Sequence, residues 1–216
     1  MYYISLDEKI ESITKDLLRS YFKNKESQIS VPIDPIDVIE YLGYSVEYVD
    51  GKYDRNIYGA LITKTKTVEV NNDVSFNEGM ENFTLAHEIG HIILHAGDVD
   101  GNKNSVCDID LENVSSLKEF EADKFASFLL MPTQMVEDVF YRLRKKPIYI
   151  KNNLFLSFFF KRRKRKRALE FAGRMIEAGN FTNVSKLAMV NRLIGMGLMK
   201  GLPYQKNIQN RRNYHE

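Results

Sequence analysis

The chain has 216 residues, 44% of them hydrophobic, which suits one medium domain, or one domain with a small appendage, around a real core. A single cysteine, Cys107, excludes an internal disulfide framework, and no apolar run reaches the ~20 residues that span a bilayer. The net charge of +2 hides an asymmetry, because residues 1–140 carry 12 Lys/Arg against 26 Asp/Glu while residues 141–216 carry 19 against 3. An acidic body with a basic C-terminal third predicts either docking of the two halves or a polyanionic partner. Residues 1–8 lack the basic stretch and apolar run of a secretory leader, so a reducing, cytoplasmic setting is expected.

Ser5-Leu6-Asp7-Glu8 has the form of a capping box, and Leu6, Ile10, Ile13, Leu17, Leu18 and Tyr21 follow at helical spacing, predicting a helix to about Phe22. Asp34 and Pro35 suit the N-cap and first turn of a second helix that Gly43 ends. Tyr44 to Val49 alternates as a strand does, and Ile57–Thr63 and Thr67–Val70 are β-rich runs around a Lys64-Thr65-Lys66 turn, a hairpin pattern. A small antiparallel sheet is therefore expected. Asn82 to His95 reads as a buried helix stopped by Gly97, residues 96–115 as a polar loop, and Ser116 to Met131 as a helix broken by Pro132. A helix is expected from Thr133 to about Arg144. Residues 145–167 give no clear period: Leu154 to Phe160 is apolar and Lys161 to Arg167 is wholly basic. Helical stretches near 168–178 and 184–194 complete the chain.

The pattern that carries chemistry is His87-Glu88-Ile89-Gly90-His91. Histidines at i and i+4 share one helix face and can bind a single ion, and the Glu after the first is set beside it to take a proton from bound water. Zinc lowers the pKa of such a water to about 7 and polarises a carbonyl, which is hydrolytic chemistry. Two imidazoles need a further protein ligand. His95 lies eight residues beyond His87, so the helix has turned about 80° away from it, and a structural or capping role is the expectation. Glu119-Phe120-Glu121-Ala122-Asp123 supplies carboxylates downstream. Glu119 and Asp123 share a face, a coherent pairing of ligand and orienter, whereas Glu121 points away; Ser116 to Glu119 also reads as a capping box that would occupy Glu119 elsewhere.

Phe83 to His95 and Glu119 to Pro132 resemble the two signature blocks of the ImmA/IrrE-type metallopeptidases. The helix at Asp34-Pro35, Val68-Glu69-Val70-Asn71, and Phe181 to Ser185 leading to Asn191-Arg192-Leu193 are similar to that family too. The resemblance covers most of residues 30–132 and returns near 181–198. It implies an α+β, zincin-like fold, a bacterial or mobile-element origin, Zn2+ held by His87, His91 and Glu119, and Glu88 as the catalytic base. It also implies cleavage of a partner helix-turn-helix transcriptional repressor.

The resulting expectation is a zincin-like domain at 1–144, with a small antiparallel sheet and the HExxH helix, followed by a basic, mostly helical extension at 145–216. Residues 161–167 are a candidate nucleic-acid contact, set against a solvated face or docking on the acidic half. Cys107 is either a thiol approaching the metal or a bystander. The segment from Val184 is either a degenerate helix-turn-helix or a packing helix. The competing functional reading is a zinc-dependent regulatory binder that contacts a repressor or DNA without proteolysis.

Overall fold

The computed structural model describes residues 5–72, 77–95, 114–150 and 157–204, with side chains from 117 and from 164 in the last two segments. Cys107 and most of the polar loop around it lie outside the described residues. The chain divides into two compact units, Met1–Pro132 and Thr133–Glu216.

In the first unit, helix α1 (Leu6–Asn24) starts on the predicted capping box: Ser5 Oγ accepts from Glu8 N–H, and the Glu8 carboxylate accepts from Ser5 N–H at 2.8 Å. It buries Ile10, Leu17, Leu18, Tyr21 and Phe22. Helix α2 (Pro35–Tyr41) is capped by Asp34, whose carboxylate accepts from Ile36 N–H at 2.9 Å. Gly43 then turns the chain at φ +78°, a left-handed conformation open to glycine at little cost.

Three strands follow, β1 (Ser45–Val49), β2 (Gly59–Ile62) and β3 (Thr67–Asn71), in the spatial order β1-β3-β2. The hairpin between β2 and β3 is antiparallel, as the sequence predicts. The expected all-antiparallel sheet is corrected at the other pairing, where β1 runs parallel to β3 from Ser45↔Thr67 to Val49↔Asn71. The reason is topological. Each of the three strands reverses the one before, so the first and third run the same way. The nine residues 50–58 carry the chain past the centre, leaving β3 buried along its whole length between two edges. Asn71, fully buried, fastens this crossover by donating its amide to the carbonyls of Asp54 and Ile57 at 3.0 and 2.8 Å.

Helix α3 (Glu78–His95) begins four residues before the expected start and packs on α2, β2 and β3. Helix α4 (Val114–Leu130) lies against both α3 and α1. Leu85, Ala86 and Ile89 from α3 and Ala122, Phe125, Ala126, Leu129 and Leu130 from α4 are completely buried. The α3–α4 crossing is close because Gly90 has no side chain: a Cβ there would lie 2.9 Å from Ala122 Cα.

The second unit contains α5 (Thr133–Leu143), β4 (Ile148–Tyr149), α6 (Ser157–Gly179), α7 (Lys186–Gly195) and β5 (Met199–Lys200), with β4 and β5 paired in parallel. Helix α6 packs on α5 and α7. Ala168, Ala172 and Met175, spaced four and three apart, are buried, as are Phe140, Phe181, Met189, Val190 and Leu193. The helix extends back through the basic tract, a region where periodicity gives no prediction; Lys166 and Arg167 are exposed on it. Ser185 caps α7, and Arg192, buried on that helix, donates to Thr133 Oγ1 at 2.7 Å, so α7 packs into this unit's core. No described helix is long and apolar enough to cross a membrane.

Candidate metal centre

The site is built where α3 meets α4. His87 and His91, one turn apart, turn the same face to α4, and their Nε2 atoms are 3.0 Å apart. The close approach at Gly90 brings the first turns of α4 to that face, and Glu119 reaches both rings: Oε2 is 3.1 Å from His87 Nε2 and Oε1 is 3.2 Å from His91 Nε2. Among the described residues these three form the group whose donor atoms converge closely enough to hold one ion. Ser116 lies inside α4 rather than at its start, and Glu119 faces the histidines.

The donor set fits zinc on two counts. It consists of two imidazoles and one carboxylate, and its separations of 3.0 to 3.2 Å are close to the ~3.3 Å between donors in a tetrahedron with bonds of about 2.0–2.1 Å. The remaining ring nitrogens also have partners. His87 Nδ1 is 2.9 Å from Asp123 Oδ1, the orienting contact expected from the i, i+4 relation of Glu119 and Asp123. His91 Nδ1 is 3.1 Å from His95 Nδ1, and His95 Nε2 is 2.9 Å from Glu121 Oε2.

Glu88 occupies the inner side of α3 and is 2% exposed. Its Oε2 has no hydrogen-bond partner among the described residues. Gly59, at the start of β2, makes the room: a Cβ there would be 2.8 Å from Thr84 Cγ2 and 3.3 Å from Glu88 Oε1. Burial pushes the Glu88 carboxyl above its ordinary range, the nearby His87 and His91 oppose this, and Glu119 adds to it. For Glu119 burial also acts upward, but hydrogen bonds from His87 and His91 outweigh it and hold the group far below the usual carboxylate range. Burial lowers His95, against the hydrogen bond to Glu121.

The structure thus brings together His87, His91 and Glu119, sets Glu88 beside them, and puts Asp123 behind His87. Glu121, the alternative ligand, is engaged by His95 and stays out of the cluster. Tyr53, which precedes the site in sequence, donates to Glu69 Oε2 at 2.5 Å. The pairing of His95 with Glu121 is not foreseen, although one signal was available: His95 is four residues from His91, hence on its face, however far it has turned from His87. No curated protein matches the sequence. The family model described as the IrrE N-terminal-like domain, a peptidase family, matches residues 38–193, from α2 through most of α7. The chain belongs to the IrrE N-terminal-like family of peptidases.

Proposed function

We propose that the protein is a zinc metalloendopeptidase, with His87, His91 and Glu119 as metal ligands and Glu88 as catalytic base. The observation that carries the reading is the convergence of two imidazoles and a carboxylate beside a buried, unpartnered Glu88 oxygen. When bound, zinc supplies a Lewis acid for the scissile carbonyl and a water acidic enough to ionise near neutral pH. Glu88 Oε2, buried and without a hydrogen-bond partner among the described residues, is the group that would accept a proton during hydrolysis and return it to the leaving amine. Asp123 accepts from His87 Nδ1–H, which leaves His87 Nε2 bare toward the ion. Glu119 stays ionised and adds the anionic donor that two neutral rings lack.

The substrate we infer is a partner helix-turn-helix repressor in the cytoplasm, carried over from the family resemblance. The test is incubation of the zinc-loaded protein with the repressor encoded beside its gene. Glu88→Gln should abolish cleavage while the zinc content stays at one per chain. A second reading, a zinc-dependent binder that contacts DNA through residues 161–167, draws on the exposed Lys166 and Arg167 of α6. It predicts salt-sensitive DNA binding and full biological function in Glu88→Gln.

A further inference from the structure

We propose that His95 and Glu121 are positioning residues: a buried relay that fixes the tautomer of His91 and aims its Nε2 at the metal. The proposal rests on the zinc reading above and goes beyond it, because neither residue contributes a donor atom to the cluster. Three observations carry it. First, the two facing nitrogens, His91 Nδ1 and His95 Nδ1, are 3.1 Å apart, a contact in which one must donate and the other accept. Second, Glu121 Oε2 lies 2.9 Å from the other nitrogen of His95, and an ionised carboxylate only accepts, so the proton of His95 is on Nε2. Third, the proton order is then forced along the chain. With Nε2–H donated to Glu121, His95 Nδ1 is bare and accepts from His91 Nδ1–H, and His91 Nε2 is left as a lone pair facing Glu119 and His87 Nε2.

Burial makes this arrangement selective. The side chains of His91 and His95 are 11% and 10% exposed and that of Glu121 21%, so water has little access to replace a missing partner. The relay also explains why α4 presents carboxylates on two faces. Glu119 and Asp123 meet His87, while Glu121, well around the helix, meets the last turn of α3 at His95.

The experiment compares His95→Phe, Glu121→Gln and Glu121→Leu with the full-length parent. It reads zinc affinity by chelator competition, the melting temperature of metal-free protein, and the histidine tautomers by 15N NMR. His95→Phe keeps the ring's bulk and removes the acceptor, and should weaken zinc binding by roughly 10- to 100-fold. Glu121→Leu should follow it. Glu121→Gln, whose amide oxygen still accepts from Nε2–H, should stay within about threefold of the parent, whereas a packing role alone would let Glu121→Leu do the same. Parent-like zinc affinity in both His95→Phe and Glu121→Leu, or losses confined to the metal-free melting temperature, would overturn the proposal. If His95→Phe does not fold, the two Glu121 variants decide. If the parent itself binds no zinc, the metallopeptidase reading has failed, and the tautomers of the metal-free chain still judge the relay: it requires His95 protonated at Nε2 and bare at Nδ1, and the reverse overturns it.

Discussion

The two histidines of the HExxH helix are one turn apart and converge on the same point, yet the protein supports them from behind in opposite ways. His87 leans on one carboxylate, Asp123, whose side chain is 60% exposed. His91 leans on a second imidazole and then a carboxylate, both largely shielded from water. An exposed support is replaceable by solvent and is weak electrostatically, whereas a buried one has no substitute. One side of the centre is therefore open and tolerant, the other closed and dependent on its partners.

If only the supports behind the two rings differ, the rings themselves must be equivalent as ligands. His87→Ala and His91→Ala should each empty the site at stoichiometric zinc, read by metal analysis of purified protein; retention in either variant would end the argument. Next in size is a change that disturbs both sides at once. Gly90→Ala gains about 0.5–1 kcal/mol in helix propensity. The new Cβ would sit 2.9 Å from Ala122 Cα, and overpacking of this kind costs about 1–3 kcal/mol. The net should be lower stability in denaturant unfolding and weaker zinc binding together, since α4 carries Glu119, Glu121 and Asp123.

A sharper test is Asp123→Asn, which should cost at most ~10-fold in zinc affinity, the mild end of the range for such supports. A larger loss there than in His95→Phe would reverse the contrast. The smallest effect belongs to a control away from both rings. In the sheet, Glu69 accepts from Lys52 at 2.5 Å and from Tyr53. Burial acts to raise its carboxyl, but these two bonds prevail and the net shift is downward. A carboxylate depressed in the folded state stabilises above its unfolded pKa and loses that contribution as pH falls through its folded value. Glu69→Gln should therefore lower the melting temperature by ~2 °C at neutral pH. The gap to the parent should close on acidification, with zinc affinity unchanged.

Much of the centre is legible in the sequence because helix periodicity is a local rule. The spacing of His87 and His91, and of Glu119 and Asp123, fixes which groups share a face without knowledge of the fold. The hairpin at Lys64–Lys66 is local too. What fails is whatever depends on a third element. The parallel pairing of β1 with β3 follows from strand order, which alternation along each strand does not encode. The His95–Glu121 contact needs the crossing of α3 and α4, 26 residues apart in sequence at that point. Gly90 and Gly59 read as ordinary glycines until Ala122 and Thr84 are set against them. Helix α6 is hidden for a different reason: Lys and Arg are good helix formers, but a run of them carries no apolar stripe to reveal the period.

The crossover between β1 and β2 bears on how the protein meets other proteases. Lys52 and Arg55 sit on it, exposed, and look like open trypsin sites. A protease, however, must draw several residues into an extended strand, and this segment is tied down at Asp54 and Ile57 by the buried Asn71 amide and at Tyr58 by the Asn71 N–H. Cleavage after Arg55 therefore requires the end of β3 to let go first, and its rate measures the local opening of the sheet rather than the accessibility of the arginine.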